Sequence, residues 1–403
     1  MTEWSIGLCL SGGGFRAALY SLGVLRYLAE ARILRDVQVV CGVSGGSVAA
    51  ASVISAVARR GSDALDDAYM TSVFDPFVDA VAGRNVRNTA ARRWALRRPL
   101  PRSRPLNLVV AETLRPELFP ELSDLRDLPR APQLVITATD LMRGRAFRFS
   151  RDFIGSWDFD YAPPPPGLAA ATAVAASAAA PPWLPPLQLR TEGIGLREAP
   201  PVMTVTDGGV YDNLGLEWFQ GWASGRPSAA VAADELVVVN ASGALQRKDR
   251  PLRGPFALNR MRAVQYSQTQ ATRVRWLVGE LEAGRQRGIY LGITADPRYY
   301  QLPLPTCAKI DPDHYAGALP SSVVRQLRRV RTDFNSFTRT ESELLAYHGY
   351  WSAHARYASL QPERAVHTPE WQQFAGMNET QAERLARELA KVRHRIGLGP
   401  QLR

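Results

Sequence analysis

Twice within its first 60 residues the chain passes from a short apolar run, through glycines, into a helix-forming stretch. The first passage is "LCLSGGGFRAA" (Leu8 to Ala18). The second is "VQVVCGVSGGSVAAA" (Val37 to Ala51). Strand, turn, helix and strand again in one direction require a crossover connection, and a crossover makes the paired strands parallel. This opening therefore commits the chain to an α/β sheet. Strands are expected at Trp4 to Leu10 and Val37 to Val43. Helices are expected at Arg16 to Ile33, with Ala18, Leu22, Leu25 and Ala29 on one face, and at Gly45 to Arg60, closed by Arg59, Arg60 and Gly61.

The two glycine turns ask for different chemistry. "GGGFRA" (Gly12 to Ala17) satisfies the G-x-G-x-x-A dinucleotide fingerprint, in the right strand–helix setting. A dinucleotide site also needs an acid at the end of the next strand. That strand ends in "CGVSGGS", which carries none, and no Lys-Ser or Lys-Thr follows the glycines to make a P-loop. What does follow is Gly42-Val43-Ser44-Gly45-Gly46, a G-x-S-x-G nucleophile elbow. It puts Ser44 at a helix N-terminus, where partial positive charge favours a developing alkoxide. In a parallel sheet, neighbouring strand ends share one edge. The first loop then lies beside Ser44, and its free N–H groups can form an oxyanion hole.

A serine nucleophile needs a base. His314, His348, His354, His367 and His394 all fall late, in the charged helical part, and none follows a core strand in a sharp turn. A Ser–Asp–His order stays formally open. Asp207 in "PVMTVTDGGVYDN" (Pro201 to Asn213) is the better candidate, because Gly208 and Gly209 turn the chain directly after a strand. A carboxylate can serve as base when burial raises its pKa.

Further strands are expected at Gln133 to Leu141 and Glu235 to Ser242. Gly167 to Leu189 is uncharged over a spanning length. It is alanine-rich and broken by Pro181, Pro182, Pro185 and Pro186, so it reads as a buried helix (Ala169 to Ala180) and an extended turn. Later helices are expected at Asn259 to Glu282, Ser321 to Val330 and Glu341 to Tyr357, with a last one opened by an Asn378/Gln381 capping box. The N-terminus enters a strand at once, which reads as no signal peptide. Cys9, Cys41 and Cys307 imply no disulfide framework and fit a reducing cytoplasm. No His/Cys cluster or calcium loop suggests a metal.

The 403 residues carry a formal charge of +11, almost all of it arginine, with Lys248, Lys309 and Lys391 the only lysines. Two readings stay open: the codon usage of a GC-rich genome, or an anionic partner such as a membrane surface. The same holds for Arg84 to Arg104, where eight arginines stand without an acid around Trp94 and Leu96. It is either a solvated surface or an interfacial anchor, with Arg92, Arg93, Trp94, Arg97 and Arg98 as membrane contacts.

Together, "SGGGFRAA", "GVSGG", "DGGVYDN", "TATDLMRG" (Thr137 to Gly144) and "AASAAAPPWLPP" (Ala175 to Pro186) resemble the patatin-like phospholipase family, which shares its active site with cytosolic phospholipase A2. Arg331 to Tyr350 weakly resembles a closing helix of bacterial members, and the last 45 or so residues resemble nothing further. The resemblance implies a three-layer α/β/α fold with a mostly parallel central sheet. It implies a catalytic domain over residues 1–310, with a helical region over 311–403 packed on it or extending it. It implies a Ser44–Asp207 dyad, with Gly12, Gly13 and Gly14 as the oxyanion hole, and no cofactor. Arg16 matches the family's glycine-loop arginine, which either holds a phosphate or braces the loop. The expected activity is hydrolysis of phospholipid acyl esters by a cytoplasmic protein able to lie at an anionic membrane, with no nucleic-acid partner. Rivals are a regulated membrane-damaging effector of bacterial defence or toxicity, a neutral acylglycerol lipase and, from another class, a basic membrane- or nucleic-acid-binding module.

Overall fold

The computed structural model describes residues 5–82, 86–97, 105–180, 184–220, 233–303 without 244, 246–248 and 250, 308–365 and 367–392. The chain opens with β1 (Ile6–Leu10), α1 (Gly14–Glu30), β2 (Val37–Val43) and α2 (Gly45–Arg60). Helices α3 (Asp75–Val81), α4 (Val86–Arg97) and α5 (Leu106–Leu118) lead to β3 (Gln133–Asp140). Short strands β4 (Arg145–Phe149), β5 (Ile154–Ser156) and β6 (Asp160–Ala162) precede α6 (Ala170–Ser177). Then come β7 (Leu187–Arg190), β8 (Val202–Asp207), α7 (Gly209–Asp212), β9 (Glu235–Asn240), α8 (Gly254–Glu282) and β10 (Arg287–Gly292). Helices α9 (Ser321–Leu327), α10 (Arg339–Leu360) and α11 (Glu379–Val392) close the chain.

The sheet runs β10-β9-β1-β2-β3-β4-β5-β6. Its first five strands are parallel, as the opening motifs require. Their side chains alternate between two buried faces. Leu8, Leu10, Val40, Ile136 and Val239 join the large core, while Cys9, Val39, Cys41, Val135 and Val238 fill smaller clusters on the other side. Burial on both faces explains why these strands read as continuous apolar runs. The three-layer α/β/α reading holds. Beyond it, β4 to β6 extend the sheet with antiparallel strands, and β7 and β8 form an antiparallel pair.

One detail of this topology positions the site. The first part of β3 pairs with β2, ending at Val43 opposite Thr137. The last part of β3 pairs on the same flank with β8, which runs the other way and brings Asp207 opposite Ala138. Strands β2 and β8 thus share one lane and meet end to end. The sequence reading has Asp207 ending a strand at a common parallel edge; instead, an antiparallel strand delivers it head-on.

The late helices are structural partners of the early ones. Helix α10 lies along α1 so closely that a Cβ on Gly23 would stand 1.7 Å from the Ala346 carbonyl oxygen. Helix α11 opens with the expected capping box, Asn378 and Gln381 each bonding the other's backbone N–H at 2.9 and 3.1 Å.

Candidate active site

Ser44 sits in the sharp turn between β2 and α2, with φ 51° and ψ −119°. This is a conformation that a residue with a side chain adopts at a cost of order 1–3 kcal/mol. What holds it there is a clip formed by residues 177–179. The Ser177 hydroxyl accepts the Ser44 N–H at 2.8 Å and donates to the Thr137 carbonyl at 2.7 Å. The Ser177 carbonyl accepts the Gly208 N–H, and the Ala179 carbonyl accepts the Asp207 N–H, both at 3.1 Å. One turn of chain therefore grips both strand ends. Alanine-rich α6 lets that turn approach so near. Sequence reasoning did not single out Ser177; its sign was a lone polar residue in the otherwise apolar "AASAAAPP".

The two side chains meet. The Ser44 side chain acts on the buried Asp207 carboxyl closely enough to favour its charged form. The same carboxylate accepts the Gly209 N–H at 2.7 Å. Burial raises the Asp207 pKa to about 6, against the lowering effect of these two partners. The described histidines are engaged elsewhere. His348 Nε2 lies 3.0 Å from the Ile293 carbonyl and His314 Nδ1 2.9 Å from Ser359 Oγ, while His354 and His367 pair with Tyr27 and Glu30. Burial lowers His348 and His354 to about 4. His394 lies outside the described residues.

The glycine loop leans on the elbow. A Cβ at Gly45 would stand 2.0 Å from the Gly14 carbonyl oxygen, so only glycine lets the two turns touch. Gly13 and Gly14 have φ of 139° and 58°. Among the described residues no acceptor is found for their N–H groups. Gly12 is different: its N–H already donates to the Asn213 carbonyl at 3.0 Å. Of the three glycines expected to face an oxyanion, Gly13 and Gly14 thus keep N–H groups open to one among the described residues, and the Gly12 N–H is engaged. Gly12 instead ties the loop to the chain beyond Asp207.

Arg16 lies buried beneath this loop. Its guanidinium donates to the carbonyls of Ala241, Val330 and Arg328 at 2.8, 2.8 and 3.2 Å. Burial lowers its pKa to about 10, so it stays cationic at neutral pH. Of the two roles open to it, this geometry fits the brace: a phosphate would have to displace three main-chain partners. Tyr266 on α8 reaches the site as well. The point where a Gly209 Cβ would sit is 2.9 Å from Asp207 Oδ1 and 3.0 Å from the Tyr266 hydroxyl. Burial, then the Asp207 charge, pushes the Tyr266 pKa up. No local sequence pattern marks this tyrosine.

One turn into α2 from Ser44, α2, α5 and α6 close on one another around Val48, Val110, Leu114, Val174, Ala178 and Phe334, leaving a gap of only about 10 Å³. The arginine stretch forms α4, where Arg92 and Arg93 are exposed and Arg93 donates to Thr113 at 3.2 Å. Arg98 and residues 101–104 lie outside the described residues, as do the side chains of Trp94 and Arg97.

A serine in a strained elbow, a buried carboxyl beside it and loop amides that find no acceptor among the described residues stand in one place. The sequence model of the family "Patatin-like phospholipase" matches residues 8–218, more than half of the chain. The chain belongs to the patatin-like phospholipase family. All the motifs from the glycine loop to "DGGVYDN" fall inside the match. The structure of human GIVD cytosolic phospholipase A2 aligns with this patatin-like chain at a TM-score of 0.53 and 11% identity, covering 91% of this chain and 63% of that one. The same human protein in complex with methyl gamma-linolenyl fluorophosphonate inhibitor and terbium chloride aligns at 0.50 and 14% identity, covering 91% and 60%. This chain spans less than two thirds of those structures, and at such identity the likeness is one of fold. No curated protein matches the chain by sequence.

Proposed function

We propose that this patatin-like phospholipase is a serine acyl hydrolase that cleaves fatty-acyl esters of membrane phospholipids with a Ser44–Asp207 dyad. One observation carries the reading: the strained elbow serine Ser44 stands beside a buried carboxyl, Asp207, on which its side chain acts and whose pKa is raised to about 6 by burial. Such a carboxylate is ionised at neutral pH yet basic enough to take a proton.

Asp207 accepts the Ser44 proton as Oγ attacks the ester carbonyl. The Gly13 and Gly14 amides, with the Arg16 cation under the loop, stabilise the negative oxygen of the tetrahedral intermediate. Protonated Asp207 then gives its proton to the departing alkoxide, leaving an acyl-serine. Water attacks the acyl-serine as Asp207 takes its proton, and Asp207 returns that proton to Ser44 Oγ as the acyl–serine bond breaks and fatty acid leaves. That the human neighbour binds a linolenyl fluorophosphonate inhibitor fits a lipid-chain substrate at a nucleophilic serine. The described residues from 311 to 392 act as a brace for α1 and the glycine loop, and Arg92 and Arg93 offer cations to an anionic membrane. The test is fatty-acid release from phosphatidylglycerol vesicles by the parent and by Ser44→Ala. Release in the parent and none in the variant supports the proposal; equal release in both refutes it.

A further inference from the structure

The first half of α8, from Gly254 to Gln265, takes no part in the chemistry above, and its side chains are unusual for an exposed helix. Further along, α8 packs inward through Gln270, Arg273 and Leu277. Gln270 bonds Asn240 at 2.6 Å, Arg273 pairs with Asp212 at 3.3 Å, and Leu277 is fully buried. Tyr266, one turn before Gln270, continues that inner stripe into the site. The spacing of 4, 3 and 4 residues keeps all four on one side of the helix. Met261 and Val264 fall on the opposite side, and Phe256 and Leu258 on its flanks. Phe256, Leu258 and Met261 are 76%, 62% and 57% exposed. A helix this long gains most of its stability from burying an apolar face. Here only Leu277 is buried; every residue from 254 to 266 is exposed or half-buried, so among the described residues this half of the helix packs on nothing and leaves its apolar side chains outside.

The charge around those side chains identifies what covers them. From Arg250 to Gly279 the sequence holds six arginines and no acid. Among the described residues no ion pair is found for Arg253, Arg260 or Arg262. Exposed apolar side chains interspersed with arginines that find no ion pair among the described residues are complementary to an anionic lipid surface, with phosphates meeting the guanidinium groups and acyl chains meeting Phe256, Leu258 and Met261. We infer that the first half of α8 is the element on which this protein rests on an anionic bilayer. Because Tyr266 on the same helix borders Asp207, docking there places the catalytic pair at the interface. This inference rests on the proposed lipid hydrolase reading and names its docking element.

The experiment uses the full chain carrying Ser44→Ala, so that binding is read without hydrolysis. Phe256→Ser, Leu258→Ser and Met261→Ser are combined, and co-sedimentation with phosphatidylglycerol vesicles is compared with and without them. The triple change is expected to weaken vesicle binding roughly tenfold or more, since binding scales with buried apolar area. High salt weakens what the arginines contribute. In the Ser44 background the triple change leaves turnover of a short soluble ester within about twofold, because no catalytic group is touched. A second measurement does not depend on losing anything: Phe256→Trp on vesicles with brominated acyl chains gains quenching over the parent. Unchanged sedimentation, or no added quenching, overturns the inference. So does a wild-type dimer that the triple change dissociates while vesicle binding stays intact, since those side chains would then serve a second copy. Absence of soluble-ester turnover in the parent would instead overturn the hydrolase reading, and the vesicle result would stand apart from it.

Discussion

Asp207→Asn separates the catalytic role of the carboxyl from its structural cost. Asparagine keeps the shape and can still accept the Gly209 N–H, but it cannot take the Ser44 proton. Turnover should fall by at least about 10²-fold, the lower range of general-base contributions. Stability should move the other way. In the folded protein Asp207 holds its proton up to about pH 6, against an ordinary value of 3.8. Between these values the folded state binds more protons than the unfolded chain, so stability falls as pH rises through that window. Above it the carboxylate costs on the order of 3 kcal/mol, the shift multiplied by about 1.4 kcal/mol per unit. Asparagine is neutral throughout and avoids that cost. At about pH 8 the variant should therefore be more stable by up to about 3 kcal/mol. With unfolding entropy near 2.1 cal/mol/K per residue, that is a Tm gain of roughly 3 °C. The two proteins should converge below about pH 4, where both side chains are neutral. Thermal scans at about pH 4, 6 and 8, beside ester turnover, make the test. Retained turnover, or a Tm difference that does not change with pH, would refute the reasoning.

The parent's turnover of a soluble ester should rise with pH through about 6 as Asp207 ionises, and a flat profile from about pH 5 to 8 would remove it as the base. A fluorophosphonate probe should label Ser44, with labelling abolished in Ser44→Ala and Ser44→Gly. The glycine form should be the more stable of the two by roughly 1 kcal/mol, because φ 51° costs it nothing. Ser177→Ala should cost about 1–3 kcal/mol by leaving the Ser44 N–H and Thr137 carbonyl without their partner, and should lower kcat more than it raises KM.

Most of this site is legible in the sequence because its parts are local. The glycine turn, the elbow and "DGGVYDN" each announce a strand end followed by a backbone that only glycine can follow, and β2 and α2 fall on the residues the pattern marks. What is not legible comes from distant chain segments. The Gly12 N–H is taken by Asn213, which no spacing reveals. For Arg16 the sequence leaves a phosphate ligand and a loop brace both open until its three carbonyl partners, from after β9 and α9, are in view. Ser177 and Tyr266 act through contacts made only on folding. Helix α8 begins at Gly254, before the expected Asn259, because proline is tolerated at the first turn of a helix. The later start hides Phe256 and Leu258, two of the exposed apolar side chains.

The shared lane of β2 and β8 also sets when the protein can become active. Ser44 is made early in synthesis, and Asp207 arrives only after β3 to β7 have been added. The lane is filled from opposite ends, so the second strand can enter only once β3 is in place to receive it on that flank. Contacts between such remote segments form late, after the cost of closing the chain between them has been met. On the proposed dyad, the nascent chain carries Ser44 through about 160 residues of synthesis before Asp207 exists to activate it. A hydrolase of the proposed kind, built this way, stays inert until its sheet is complete.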